Sequence, residues 1–171
     1  MKPISTLIAE MKAAKEAMKK LESQIPRIIG NEAVKVIKDN FRLQGYDSGS
    51  GVTKWMPRSP ETNYRYNKRY GVKGSVYQAT NPILKQTGVL YNSVQYKVQG
   101  KLVFVGVDLG LVPYAQKMND GGRGKWGKNT TFTPKRKYMP SNNEPPNAKM
   151  LKKIIKKIGA ERDRALAPFK K

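Results

Sequence analysis

Apolar residues recur at intervals of three and four from the start of the chain: Ile4, Leu7, Met11, Ala14, Met18, Leu21 and Ile25. The spacing predicts a helix with one apolar stripe in coiled-coil register. Lys12, Lys15, Lys19 and Lys20 fall off the stripe, on faces that can stay in water. An isolated helix of this length is marginal, so the stripe needs something to pack on. The core of the same chain and a neighbouring subunit are both open. Pro26 then interrupts, because proline disrupts a helix interior but is accepted in a first turn. A second helix is expected over about residues 26–43, burying Ile28, Ile29, Ala33, Val36, Ile37 and Phe41. Gly45 and the Gly-, Ser- and Asp-rich stretch 46–53 end it as a loop.

Residues 54–82 hold many turn formers and no sustained period. A connection this long is unusual in a compact domain and is often functional. Tyr64, Tyr66, Tyr70 and Tyr77 alternate loosely with Arg65, Lys68, Arg69 and Lys73. That mixture suits stacking on single-stranded nucleic acid, a protein interface, or a plain surface loop. Order returns at residues 83–94. Val94, Tyr96 and Val98 alternate with polar residues, Gly100 marks a turn, and Leu102, Val103, Val105 and Val107 follow with Phe104 and Gly106 between them. This predicts a β-hairpin. Its second strand is apolar on both faces, as for a central strand covered on both sides.

Pro113 can open a short helix that Gly121 and Gly122 close. Residues 123–137 hold Arg123, Lys125, Lys128, Lys135, Arg136 and Lys137 without an acid, which predicts a basic loop or a polyanion-binding arm. Asn147 is a good N-cap for a last helix. There Met150, Leu151, Ile154, Ile155 and Ile158 form the apolar stripe, opposite Lys149, Lys152, Lys153, Lys156 and Lys157. Such a helix packs on its domain or lies on a membrane surface. The expected fold is α+β: long N-terminal and C-terminal helices packed on a small, mainly antiparallel β-sheet.

Composition narrows the function. Thirty-four Lys and Arg face twelve Asp and Glu, a formal net charge of +22, with no His and no Cys. The charge implies a polyanionic neighbour or an acidic protein partner. The usual proton shuttle, thiol nucleophile and soft metal ligands are missing. No apolar run approaches the roughly 20 residues of a membrane span, and the N-terminus reads as mature protein rather than a signal peptide. Asp108 and Asp120 sit at turns, where a single Asp usually holds the turn. Gly121, Gly122 and Gly124 lack a phosphate-loop signature. No catalytic residue, metal site or cofactor is expected.

The order of segments carries more than any one residue. Trp55 is followed by Leu84, Thr87, Gly88, Leu90, Ser93 and Val94, then Val105 and Gly106, then Tyr114, Ala115 and Gly121, then Arg136, Tyr138 and Met139. Over about residues 25–165 this series resembles the phage virion-morphogenesis family, the tail-completion or head–tail joining proteins. Met118 stands where that family has His, and the tyrosine-rich stretch between Trp55 and Leu84 is particular to this chain. The resemblance implies a helical extension at residues 1–25 and a tail-completion-like domain at 26–166, with a long loop at 46–82 and a basic loop at 122–137.

It further implies a non-enzymatic virion subunit, assembled in the host cytoplasm into a ring between connector and tail. Its partners would be connector (portal-proximal) and tail-tube proteins, further copies of itself, and passing DNA, with no membrane. The motif residues would have structural roles. Contact would fall to the N-terminal heptads, the 54–82 loop and the basic loop, through Arg65, Arg69, Lys73, Arg123, Lys125, Lys128, Lys135 and Lys137. The alternative is a ribosomal- or chromatin-like nucleic-acid-binding protein holding phosphates with Arg65, Arg69, Arg123, Lys125, Lys135 and Arg136.

Overall fold

The computed structural model describes residues 3–59, 68, 83–84, 87–126, 129–141 and 144–169, without the side chains of 124–126 and 129–131. The fold is α+β. Helix α1 spans Ile4–Leu43 and is unbroken at Pro26. The expected break is therefore corrected: one 40-residue helix replaces two. An interior proline costs about 3 kcal/mol, but its fixed φ is helical. Residues on its C-terminal side, Ala33, Val36, Ile37 and Phe41, are buried and anchor that half of the helix.

Gln44 ends α1 in the left-handed conformation (φ 51°), its N–H on the Asn40 carbonyl. A tight ladder follows, β1 (Gly45–Asp47) against β2 (Val52–Lys54), where the sequence predicted only loop. Gly45 is required there, because a Cβ would come within 2.6 Å of the Thr53 carbonyl. Trp55 N–H then donates to the Gln44 carbonyl at 2.9 Å, returning the chain to the helix end. The Gln44 side chain also pairs with both backbone groups of Ile83, accepting its N–H at 2.5 Å and donating to its carbonyl at 3.3 Å. Leu84 beside it takes an uncommon positive φ of 60°.

Gly88 (φ 75°) opens the short helix α2 (Val89–Ser93), which delivers Leu90 to the core. The predicted hairpin forms as β3 (Val94–Gln99) and β4 (Leu102–Val107), antiparallel, turning at Gly100. Val94, Tyr96 and Val98 pair with Val107, Val105 and Val103, so these six share a face. That face lies on α1, where Gly30 admits the Tyr96 ring. The expected cover on both sides of β4 is corrected. Among the described residues β4 pairs only with β3, and Leu102 (65%) and Phe104 (53%) stand exposed on the far face.

Helix α3 (Ala115–Asp120) ends, as predicted, at Gly121 (φ 72°) and Gly122. The expected basic loop is in part a third ladder, β5 (Gly122–Trp126) with β6 (Asn129–Thr133). Among the described residues the strands thus form three two-stranded antiparallel ladders. Helix α4 (Ala148–Leu166) begins on Asn147, whose side chain accepts the Met150 N–H at 2.8 Å. It runs antiparallel to α1, tied by Lys153 to Asp39 at 2.9 Å and by Lys149 to Asp47. Met150 and Ile154 are buried against α1, whereas Leu151 and Ile155 are exposed. The apolar stripe is therefore narrower than expected, since a step of about 100° carries each following residue off the contact.

Phe41 stands at the centre of the core. Trp55 and Tyr91 approach it edge-on, each at 5.7 Å between centroids, and Tyr138 lies at 5.0 Å. The Gly30 contact tests the seating of the hairpin. Helix propensity favours Gly30→Ala by about 1 kcal/mol, but the added Cβ would sit 2.2 Å from Tyr96 Cδ2. Overpacking of that kind costs about 1–3 kcal/mol. Gly30→Ala is expected to lower the urea midpoint, and Tyr96→Leu in the same chain to restore part of it. A raised midpoint for the single variant would show that the ring has room to move.

Candidate functional site

The segment from Pro134 to Ser141 carries Lys135, Arg136 and Lys137 and then enters the core with Tyr138. It belongs to no helix and to no ladder among the described residues. Its backbone groups must therefore find partners outside a sheet. Asn40, on α1, donates Nδ2–H to the Tyr138 carbonyl at 2.9 Å and accepts the Asp47 N–H at 3.1 Å. Asn119, on α3, accepts the N–H groups of Tyr138 and Met139 at 3.0 and 3.1 Å. Trp55 Nε1–H donates to the Lys137 carbonyl at 2.7 Å, and the Arg136 N–H to the Met118 carbonyl at 3.0 Å. The Tyr138 hydroxyl donates to the Ala115 carbonyl at 3.1 Å. Burial, with Asp120 and Tyr114 adding, pushes the Tyr138 phenol far above its ordinary value, so it remains a neutral donor.

The basic residues of the segment differ in what they can do. Lys137 is occupied: it pairs with Glu144 and lies 4.8 Å over the Tyr46 ring. Glu144 is held below the usual carboxylate range, chiefly by Lys137 and then by the Ser141 N–H. Arg136 is half-buried, and its Nε is enclosed without a hydrogen-bond partner. Burial, then neighbouring Arg58, lowers its pKa, though a guanidinium stays charged. Lys135 and Arg123 are exposed, and Lys125 lies in β5. Arg65, Arg69, Lys73 and Lys128 lie outside the described residues, as does the tyrosine-rich run Tyr64, Tyr66, Tyr70 and Tyr77.

The motif residues converge. Trp55, Leu90 and Ala115 are buried in the core, with Leu84, Tyr114 and Met139 packed against it. Ser93 Oγ donates to the Leu90 carbonyl at 2.8 Å, and Gly121 meets the Lys135 backbone where a Cβ would lie 2.7 Å from its nitrogen. Gly106 faces open space. A cavity of about 350 Å³ opens between β4, α3 and the end of the segment. Its acid, Asp120, already accepts from Asn119 Nδ2 and Ser141 Oγ. Asp108 accepts the Gly110 N–H and holds a turn. Among the described residues, no group of three His, Cys, Asp or Glu is placed to hold a metal.

Asn40, Asn119 and Gln44 are the residues that sequence reasoning missed. Asn40 and Asn119 follow Val36 and Ala115 by four, so each is a polar residue at a core-facing helical position. That is the signal that could have found them. In comparison with known proteins, no family model, no curated protein and no solved structure matches the chain.

Two predictions follow the clamp and the helix tie. Asn119→Ala strands one buried and one part-buried N–H group and is expected to cost about 2 kcal/mol by denaturant unfolding, with faster amide exchange at Tyr138 and Met139. Unchanged exchange there would remove Asn119 from the clamp. The second concerns Asp47, whose carboxyl is held low mainly by the Lys149 hydrogen bond, against burial, with the Gly49 N–H assisting. A depressed folded-state pKa gives stability that is complete above the ordinary carboxylate range and lost as pH falls below about 4. Asp47→Asn should lower stability at neutral pH and flatten the acid limb of a stability–pH curve. A parallel downward shift at every pH would contradict this.

Proposed function

We propose that this chain is a structural subunit of a tailed bacteriophage virion, a head–tail joining or tail-completion protein. It assembles as a ring between connector and tail. The observation that carries the reading is the arrangement of the motif residues. Trp55, Leu84, Leu90, Tyr114, Ala115 and Met139 come from separate segments and gather on one core around Phe41. Their work is to hold helix, hairpin and basic segment in register, which is what a building block requires. No helix among the described residues is long and apolar enough to cross a membrane.

The charge supports docking on acidic faces of connector and tail-tube proteins and tolerance of DNA passing through the ring. Arg123 and Lys135, both exposed, are suited to receive acidic groups from such a neighbour. The test is capture of co-encoded connector and tail-tube proteins by the purified chain, alongside DNA titration at about 200 mM salt. Capture with weak, sequence-blind DNA binding is expected. Tight nucleic-acid binding at that salt without capture would overturn the reading in favour of a ribosomal- or chromatin-like protein.

A further inference from the structure

The β5–β6 ribbon leaves the body from a fixed foot. There Thr133 is buried, the Gly121 N–H bonds the Lys117 carbonyl at 2.9 Å, and the Arg136 N–H bonds the Met118 carbonyl at 3.0 Å. A Cβ on Gly121 would lie 2.7 Å from the Lys135 nitrogen, so the chain entering β5 touches the chain leaving β6. Above the foot the setting changes. Gly122, Arg123 and Phe132 are exposed, and a Cβ on Gly122 would meet nothing within 4 Å. Among the described residues, β5 and β6 pair only with each other. Five residues a side give the ribbon a length of about 17 Å.

Arg123 stands directly opposite Phe132 in the ladder, so the two share a face. Lys135 is exposed just beyond the end of β6. Neither cation makes an ion pair among the described residues, whereas Lys137 nearby is held by Glu144. No acid lies between Asp120 and Glu144 in the sequence, so nothing on the ribbon itself neutralises them. Phe132 is 67% exposed. A ring beside an unpaired guanidinium combines the two groups that hold a nucleic-acid strand: a cation for the phosphate and an aromatic face for the base.

We propose that the β5–β6 ribbon is a nucleic-acid-contacting arm, in which Arg123 and Lys135 hold phosphates and Phe132 lies against a base, without regard to sequence. The two cations alone would suit an acidic protein face as well. The charge pattern and the ring decide between the two. A protein surface presents both signs of charge, and its complement needs both. Residues 122–137 carry one sign only, which matches the uniform charge of a phosphate backbone. Every base has a π-face, so one ring serves any sequence. Two paired strands are also narrow enough for a major groove about 12 Å wide, so single strand and duplex share this chemistry. The inference rests on the part of the reading above in which DNA passes this chain, and it names the element that touches it.

The experiment measures binding of the full-length chain to a short labelled single strand and to the matching duplex, by fluorescence anisotropy between about 50 and 200 mM salt. The variants are Arg123→Gln with Lys135→Gln, Phe132→Ala, and Lys12→Gln with Lys15→Gln, which removes the same charge from the start of α1. All these positions are exposed, and circular dichroism checks the fold. The ribbon pair should weaken binding on the order of tenfold and lower the slope of log affinity against log salt by about 1.5. The α1 pair should leave that slope unchanged. Equal losses from both pairs would overturn the proposal, because the charge would then act from the whole surface. Phe132→Ala should weaken the single-strand complex at least about fivefold. The same loss on the duplex would support an arm lying in a groove, and no loss on either probe would refute the contact. A ribbon pair that lost connector capture but kept DNA binding would hand the site to an acidic protein. A wild-type chain that captured connector and bound no DNA at about 50 mM salt would defeat the proposal and leave the virion reading standing. DNA binding through the ribbon without capture would support it while refuting the virion reading.

Discussion

A core-entering segment that belongs to no helix or ladder leaves its peptide groups to be satisfied one by one. In this protein that constraint falls on Lys137–Met139, and side chains meet it. Asn40 takes the carbonyl of Tyr138, Asn119 takes two N–H groups, and Trp55 takes the Lys137 carbonyl. Each donor or acceptor comes from a different element. The hydrogen bonds therefore join α1, the turn after β2, and α3 through one stretch of backbone. Phe41 then packs between Trp55 and Tyr138, so apolar burial and polar satisfaction fix the same geometry. Asn40 also accepts the Asp47 N–H, which sets β1. Asp47 in turn ties α4 through Lys149 and the Asn147 side chain. Loss of one amide would be felt from the core to the last helix.

The same ties explain how the protein carries its charge. Asp39 and Asp47 anchor α4 on α1, and Glu144 anchors Lys137 beside the clamped segment. Glu16, Glu32 and Glu161 pair with lysines three or four residues away on their own helices. Exposed pairs of this second kind add little to stability. Of the first kind, Lys149–Asp47 and Lys153–Asp39 position elements, because their partners are far apart in sequence and partly buried, whereas Lys137–Glu144 is local and more exposed. With these acids taken up inside the fold or along a helix face, the excess positive charge is left on the outside. The charge is thus a property of the protein's surface.

Much of this was legible from residue spacing. Periods of 3.6 marked both long helices, Asn147 marked the start of α4, and alternation around Gly100 marked the β3–β4 hairpin. Other features are set by contacts that spacing does not record. Pro26 reads as a break, but the packing of Ala33, Val36, Ile37 and Phe41 outweighs its local cost. The β1–β2 ladder is only three residues a side and is held by the Gln44 and Trp55 backbone bond, so its Gly- and Ser-rich turn hid it. The basic stretch looked like loop because Gly and Lys are poor strand formers, yet cross-strand pairing makes β5 and β6. The clamp was invisible because Asn40 and Asn119 act on backbone far away in sequence, and a polar residue on an apolar stripe names no partner. Two of the gathered motif residues, Trp55 and Ala115, carried no recognisable local pattern and became interpretable only through their order along the chain.

The continuity of α1 gives these observations a mechanical sense. A break at Pro26 would leave the first twenty-odd residues free to set their own direction. An unbroken helix instead carries the orientation fixed by the core, at Phe41 and Gly30, to the exposed residues beginning at Ile4. The outer face of the hairpin is fixed by the same helix, through Tyr96 on Gly30. The exposed start of α1 and the outer hairpin face, with Leu102 and Phe104, are therefore both referred to one helix, whose core packing lies on the C-terminal side of its proline.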